Sequence, residues 1–209
     1  AEISLADKSG AEVSGTYRAT FLNAPHLSSP PTIDGDLNDW GRVPKIPLKG
    51  RAHAIRQPQL YRGKKDLAAE VSFAWDEKAL YLSAAVTDDV FIQEKEGFDA
   101  WHDDCLQLAF DTAPGKVSSG TGNLLAEAGQ RTNSEIDLAL TKNGAEAYRT
   151  LSPNETKLPV ALIDRKDLTL AIRRNGNNVF YEAAIPWSSL GAVSPLPNCV
   201  LGIAVTVND

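Results

Sequence analysis

Apolar residues in this chain recur at every second position. That period restricts the fold more tightly than any other feature, because it sends one side of an extended strand into a core and leaves the other outside. In "VSFAW" the apolar set is Val71, Phe73 and Trp75, and in "LYLSAAV" it is Leu80, Leu82, Ala84 and Val86; "DEKA" turns the chain between them, which makes a hairpin. "CLQLAF" aligns Leu106, Leu108 and Phe110, and "EIDLAL" aligns Ile136, Leu138 and Leu140. Asn-Gly dipeptides, which favour tight hairpins, mark turns at Lys142–Gly144 and within "RRNGNN", the latter between "LTLAI" and "VFYEAAI". The last alternating run, "LGIAVTV", aligns Leu201, Ile203, Val205 and Val207. The helical candidates are short, at "NLLAEAG" and "PWSSLG", and "APGKVSSGTGN" (Ala113–Asn123) has a loop composition. The expected fold is all-β: an antiparallel two-sheet β-sandwich with short helical turns only.

A chain of 209 residues is one domain by default. Residues 1–30 lack a strong period; they read as a lead-in with one strand at "GTYRATF", and the sandwich occupies 31–209. In "IDGDLNDWG" Asp and Gly make a turn in which Asp39 is the expected cap. The net charge of −6 argues against nucleic acid as a partner, since such binders carry a basic face. The local basic stretch Arg51–Asp66 reads as a solvated loop. No apolar run approaches the ~18 residues of a membrane span. Cys105 and Cys199 match no metal-binding spacing, and whether they pair depends on whether their strands are neighbours.

The densest chemistry lies in "WHDDCLQLAFD", Trp101 to Asp111. With Leu106, Leu108 and Phe110 inward, Trp101, Asp103, Cys105 and Gln107 share the opposite face if the strand extends that far. An indole covers the apolar C–H face of a sugar ring, and carboxylates and amides bind its hydroxyl rim. Trp40, Trp75 and Trp187 sit among apolar neighbours and read as packing. Oxygen-bearing side chains also gather at strand ends: the acids Asp88, Asp89, Asp104 and Asp209, and the amide Asn208. Hard oxygen ligands of this kind suit calcium, although loop acids and turn caps give the same pattern. No residue is marked as a catalytic carboxylate, and no nucleophile motif accompanies His102 and Asp103.

The ordered set "IDGDLNDW", "VSFAWDEKALYLSAAVTDDV", "WHDDCLQLAFD", "YEAAIPWSSLG" and "LGIAVTVND" resembles the family 9 carbohydrate-binding modules and their DOMON-like relatives. The resemblance spans roughly residues 31–209 and implies a β-sandwich with a non-catalytic sugar-binding role. It also implies a secreted, periplasmic or extracellular setting in a polysaccharide-processing protein, linkage to other domains, and structural calcium. In the family, a tryptophan matching Trp101 walls the sugar slot, and a carboxylate matching Gln107 binds hydroxyls. Here a glutamine stands at that place. The expected sugar contacts are Trp101, His102, Asp103 and Gln107, with an oligo- or polysaccharide as partner. Family members that clamp a sugar use a second aromatic near the C-terminus. The chain runs to Val207–Asp209 without one, so the domain is expected to be cut before its closing strand or to lack the clamp. A structural or docking sandwich is the alternative. Haem, held by some relatives through methionine with histidine or lysine, is not expected, because the chain has no methionine and only His26, His53 and His102 as imidazoles.

Overall fold

The computed structural model describes residues 2–6, 12–16, 22–55, 58–114, 132–153, 156–191 and 193–209. Its strands are β1 (Glu2–Ala6), β2 (Glu12–Thr16), β3 (Ile46–Leu48), β4 (Leu67–Trp75), β5 (Ala79–Asp88), β6 (Cys105–Asp111), β7 (Asn133–Thr141), β8 (Gly144–Leu151), β9 (Thr169–Asn175), β10 (Asn178–Pro186) and β11 (Gly202–Asn208). β1 and β2 pair only with each other, β3-β4-β5-β10-β9 form a five-stranded sheet, and β11-β6-β7-β8 form a four-stranded one. Every paired strand runs antiparallel to its neighbour. Short 3-10 turns lie between the strands at Leu37–Trp40, Arg51–His53, Gly97–His102 and Trp187–Ser189. The antiparallel sandwich read from the alternation is therefore the observed architecture.

Both sheets contribute to one core. Leu82, Leu106, Leu108, Ile136, Leu138 and Ile185 are each 0% exposed, and burying a side chain of this size is worth about 1.5–3 kcal/mol. The set predicted from β11 (Ile203, Val205, Val207) also packs on this core but is only half-buried, because β11 is an edge strand.

The outer face of the five-stranded sheet is covered as well. Residues preceding β3 lie across it, and Trp40 and Val43 pack with Ala74, Ala79 and Tyr81. A buried acid ties this strap down. The Glu182 carboxylate accepts from Trp40 Nε1 (2.6 Å), Gly35 N (2.6 Å) and Asp34 N (3.0 Å), and burial raises its pKa. Gly35 is required here: its φ is +83°, and a Cβ would lie 2.9 Å from the Arg173 side chain.

Several local expectations shift. The turn Leu37–Trp40 is capped by Asp36, which accepts from Asn38 N at 3.1 Å, not by Asp39. Asp39 lies inside the turn and accepts from Thr32 N at 2.8 Å. The hairpin tips are Lys142–Asn143 and Gly176–Asn177, one residue away from the Asn-Gly pairs, because the strand register places Thr141 opposite Gly144 and Asn175 opposite Asn178. Of "GTYRATF" only Gly15 and Thr16 fall in a described strand, and "NLLAEAG" lies outside the described residues. "PWSSLG" does contain a 3-10 turn. Cys105 is buried, Cys199 is exposed, and both are free. Trp75 and Trp187 donate their indole N–H groups to Ala24 O (3.1 Å) and Asp76 O (2.9 Å). No helix among the described residues is long and apolar enough to cross a membrane.

Candidate functional site

The outer face of the four-stranded sheet differs from that of its partner. The register aligns Thr206, Gln107, Asp137 and Tyr148 in one row across β11, β6, β7 and β8. Gln107, Ala109, Glu135, Asp137, Ala204 and Thr206 line a shallow depression of about 110 Å³.

Asp137 dominates its chemistry. It is 1% exposed, one oxygen accepts from Gln107 Nε2 at 3.1 Å, and Oδ2 is buried with no partner among the described residues. Burial pushes its pKa up to about 6, with the Gln107 hydrogen bond opposing and Glu135 adding. A buried carboxylate oxygen without a donor is costly unless something that binds there supplies one. The linkage sign follows from the raised value. Asp137 favours the folded state fully below the ordinary carboxylate pKa, and this contribution is lost as pH rises through about 6. The stability of the wild type relative to Asp137→Asn should therefore fall between about pH 3.5 and 7 in denaturant melts, by on the order of 2–3 kcal/mol. A difference that does not vary with pH would contradict this environment.

Trp101 belongs to the 3-10 turn Gly97–His102, not to an extension of β6. The strand begins only at Cys105, because Asp103 N closes the turn on Ala100 O at 3.3 Å. Trp101 is half-buried and packs on Ala100, Cys105 and Ala139. The His102 ring stacks on its indole at 3.8 Å between centroids and 29° between planes. His102 is exposed, and its Nδ1 lies 3.1 Å from Asp99 O. Asp103 Oδ2 accepts from Glu94 N (2.8 Å) and Lys95 N (3.0 Å) and so shapes the loop before the turn. Asn208 joins the parts: its Nδ2 donates to Trp101 O (2.7 Å) and Gln107 Oε1 (3.1 Å). Trp101 and Gln107 are thus brought to one site, His102 lies on the indole, and Asp103 supports from behind.

The strand-end acids divide. Carboxylate oxygens of Asp88, Asp104 and Asp209 all lie within 4.8 Å of one another. Asp88 and Asp104 are buried. Burial raises the pKa of Asp104 and of Asp209, and the Asp88 charge raises both further. Asp104 Oδ2 also accepts from Ile92 N. Asp89 faces Arg62 at 3.4 Å, and Asn208 turns toward Trp101.

Asp137 and Tyr148 were not among the expected site residues. A signal for the first exists: with Ile136 and Leu138 inward, Asp137 must face outward, as Gln107 does on β6.

Comparison with known proteins bears on the family and the fold. Two curated proteins, endo-1,4-beta-xylanase A of Thermotoga neapolitana and of Thermotoga maritima, are each 28% identical over 180 residues, 86% of this chain. The chain spans 14% of the length of each. Among solved structures, a carbohydrate binding module family 9 from Caldicellulosiruptor kristjanssonii in complex with cellotriose aligns with TM-score 0.59 and 17% identity, covering 89% of this chain and 75% of that one. The same organism's module in complex with glucose gives TM-score 0.58 and 16% identity, covering 88% and 77%. At such identity these structures attest the fold. The family model described as carbohydrate family 9 binding domain-like matches residues 33–209, and the chain belongs to that family.

Proposed function

We propose that this chain is a non-catalytic module that binds a sugar of a polysaccharide on the outer face of the four-stranded sheet, within a secreted polysaccharide-processing protein. The observation that carries the reading is Asp137. Its side chain lines the depression beside Gln107, and one of its buried carboxylate oxygens has no partner among the described residues. A sugar hydroxyl supplies the missing donor, and such charge-assisted bonds are worth about 1.5–3 kcal/mol. Gln107, held by Asp137 and Asn208, presents an oriented amide to the rim. Trp101 takes the apolar face of the ring. His102 now covers one indole face, and its exposure and few contacts let a pyranose replace it. Asp103 acts by positioning the loop. The neighbours bound to cellotriose and glucose, and the xylanase relatives, favour a glucose- or xylose-configured chain.

The test is titration of the intact chain with glucose, xylose and their β-linked oligomers, followed by intrinsic fluorescence. We expect saturable change with at least one of them, at a dissociation constant near 1 mM for a single ring, about −4 kcal/mol. No response to any glycan would overturn the reading.

Calcium fits the acid cluster. Asp88, Asp104 and Asp209 offer hard oxygens whose mutual repulsion a divalent cation would relieve. The ion would tie the end of β5 to those of β6 and β11, and through Asn208 it would steady Trp101 and Gln107. Excess chelator should lower the melting temperature by several degrees. This corresponds to about 2.7 kcal/mol if calcium stands at a hundredfold excess over its dissociation constant. An unchanged melting temperature would remove the metal from this account.

A further inference from the structure

The polar row does not stop at Asp137. The register carries it to Tyr148 on β8, and across an isolated bridge from Tyr148 to Leu162. Phe98 stands over this end of the row. Its ring lies 6.0 Å from that of Tyr148 at 70°, an edge-to-face pair. Phe98 is 54% exposed and Leu162 57%. Large apolar side chains left contiguous at a polar groove mark a binding surface more often than chance exposure.

The backbone is bent to place Phe98 there. Gly97 has φ +59°, a conformation L side chains rarely adopt, and a Cβ on it would lie 3.8 Å from the Tyr148 ring. Gly97 N donates to Glu146 Oε2 at 3.1 Å, and Asn143 Nδ2 donates to Glu96 Oε2 at 2.7 Å. The 3-10 turn is thus pinned to β8 at its start and, through Asn208 and Trp101 O, to β11 at its end. Phe98 and Trp101 lie three residues apart in this turn. In a 3-10 helix such residues eclipse one another with a rise of roughly 6 Å. By that geometry Phe98 and Trp101 leave the same side of the turn at about the spacing of consecutive rings in an extended glycan, Phe98 toward Tyr148 and Trp101 against Cys105 and Ala139.

We propose that Phe98 and Tyr148, rimmed by Leu162, form a second sugar subsite that holds the pyranose next to the one on Trp101, so that the module selects an extended β-linked chain over a single sugar. This rests on the sugar reading of Trp101 and Asp137. The second aromatic contact is then supplied from the turn and β8, within the described sheet face.

The experiment is calorimetric titration of the intact chain and of Phe98→Ala and Phe98→Tyr with glucose and with cellotriose, each variant checked for an unchanged melting temperature. The wild type should bind cellotriose roughly tenfold tighter than glucose. Phe98→Ala should bring that ratio close to one, and Phe98→Tyr, which keeps the ring, should retain it. Equal affinity of the wild type for both sugars, or a ratio that survives Phe98→Ala, overturns the second subsite while leaving the first in place. Absence of binding by either sugar overturns the first reading and this inference with it.

Discussion

Trp101→Ala should abolish detectable glycan binding while leaving the domain folded. The indole is the only large apolar surface proposed for the first ring, and losing it from an affinity near 1 mM pushes binding beyond ordinary titration. The cost in stability is intermediate. A fully buried tryptophan lost to alanine costs ~3–5 kcal/mol, but Trp101 is half-buried, with His102 over one face and Ala100, Cys105 and Ala139 beneath. A loss of about 1–2 kcal/mol is expected, read from denaturant melts beside the binding assay. Retained binding would remove Trp101 from the site. A loss as large as that of a core tryptophan, with binding never shown by the wild type, would make it a plug at the end of the sandwich.

Glu182→Ala should be strongly destabilising. Its carboxylate is 0% exposed and receives three donors from the strap: the Trp40 indole and the backbone N–H groups of Asp34 and Gly35. Removing it strands these donors, each at about 1–3 kcal/mol, and uncouples the segment that covers the five-stranded sheet. We expect a loss of about 3–5 kcal/mol in denaturant melts. Glu182→Gln keeps the shape but turns an N–H₂ toward at least one donor, and it should cost about half as much. A loss under 1 kcal/mol for Glu182→Ala would show that the strap is held by Trp40 packing alone.

Glu182 also shows where reading a sequence by alternation runs out. Val179, Tyr181, Ala183 and Ile185 alternate correctly into the core, and by the same parity Glu182 belongs to solvent. It is buried because residues far earlier in the chain fold over that face, and a period of two carries no information about what covers a sheet from outside. The four-stranded sheet is the more legible one. There parity alone places Gln107 outward, and it would have placed Asp137 there too. Trp101 lies near Gln107 by a geometry other than the expected one. Parity assumed an extended strand, whereas a glycine-led 3-10 turn delivers the ring. The acids at strand ends were visible as a class. Which of them meet depends on β5 of one sheet ending beside β6 and β11 of the other, a contact set by packing across the sandwich.

Nuclear magnetic resonance titration tests the central claim most directly. With backbone amides assigned and cellotriose added to the intact chain, shifts should cluster on Phe98–His102, Gln107, Asp137, Tyr148 and Thr206, and Asp137→Asn should weaken the response. Shifts confined to the strap or the five-stranded sheet, or no shifts at millimolar sugar, would contradict a carbohydrate site on the open face of β11-β6-β7-β8.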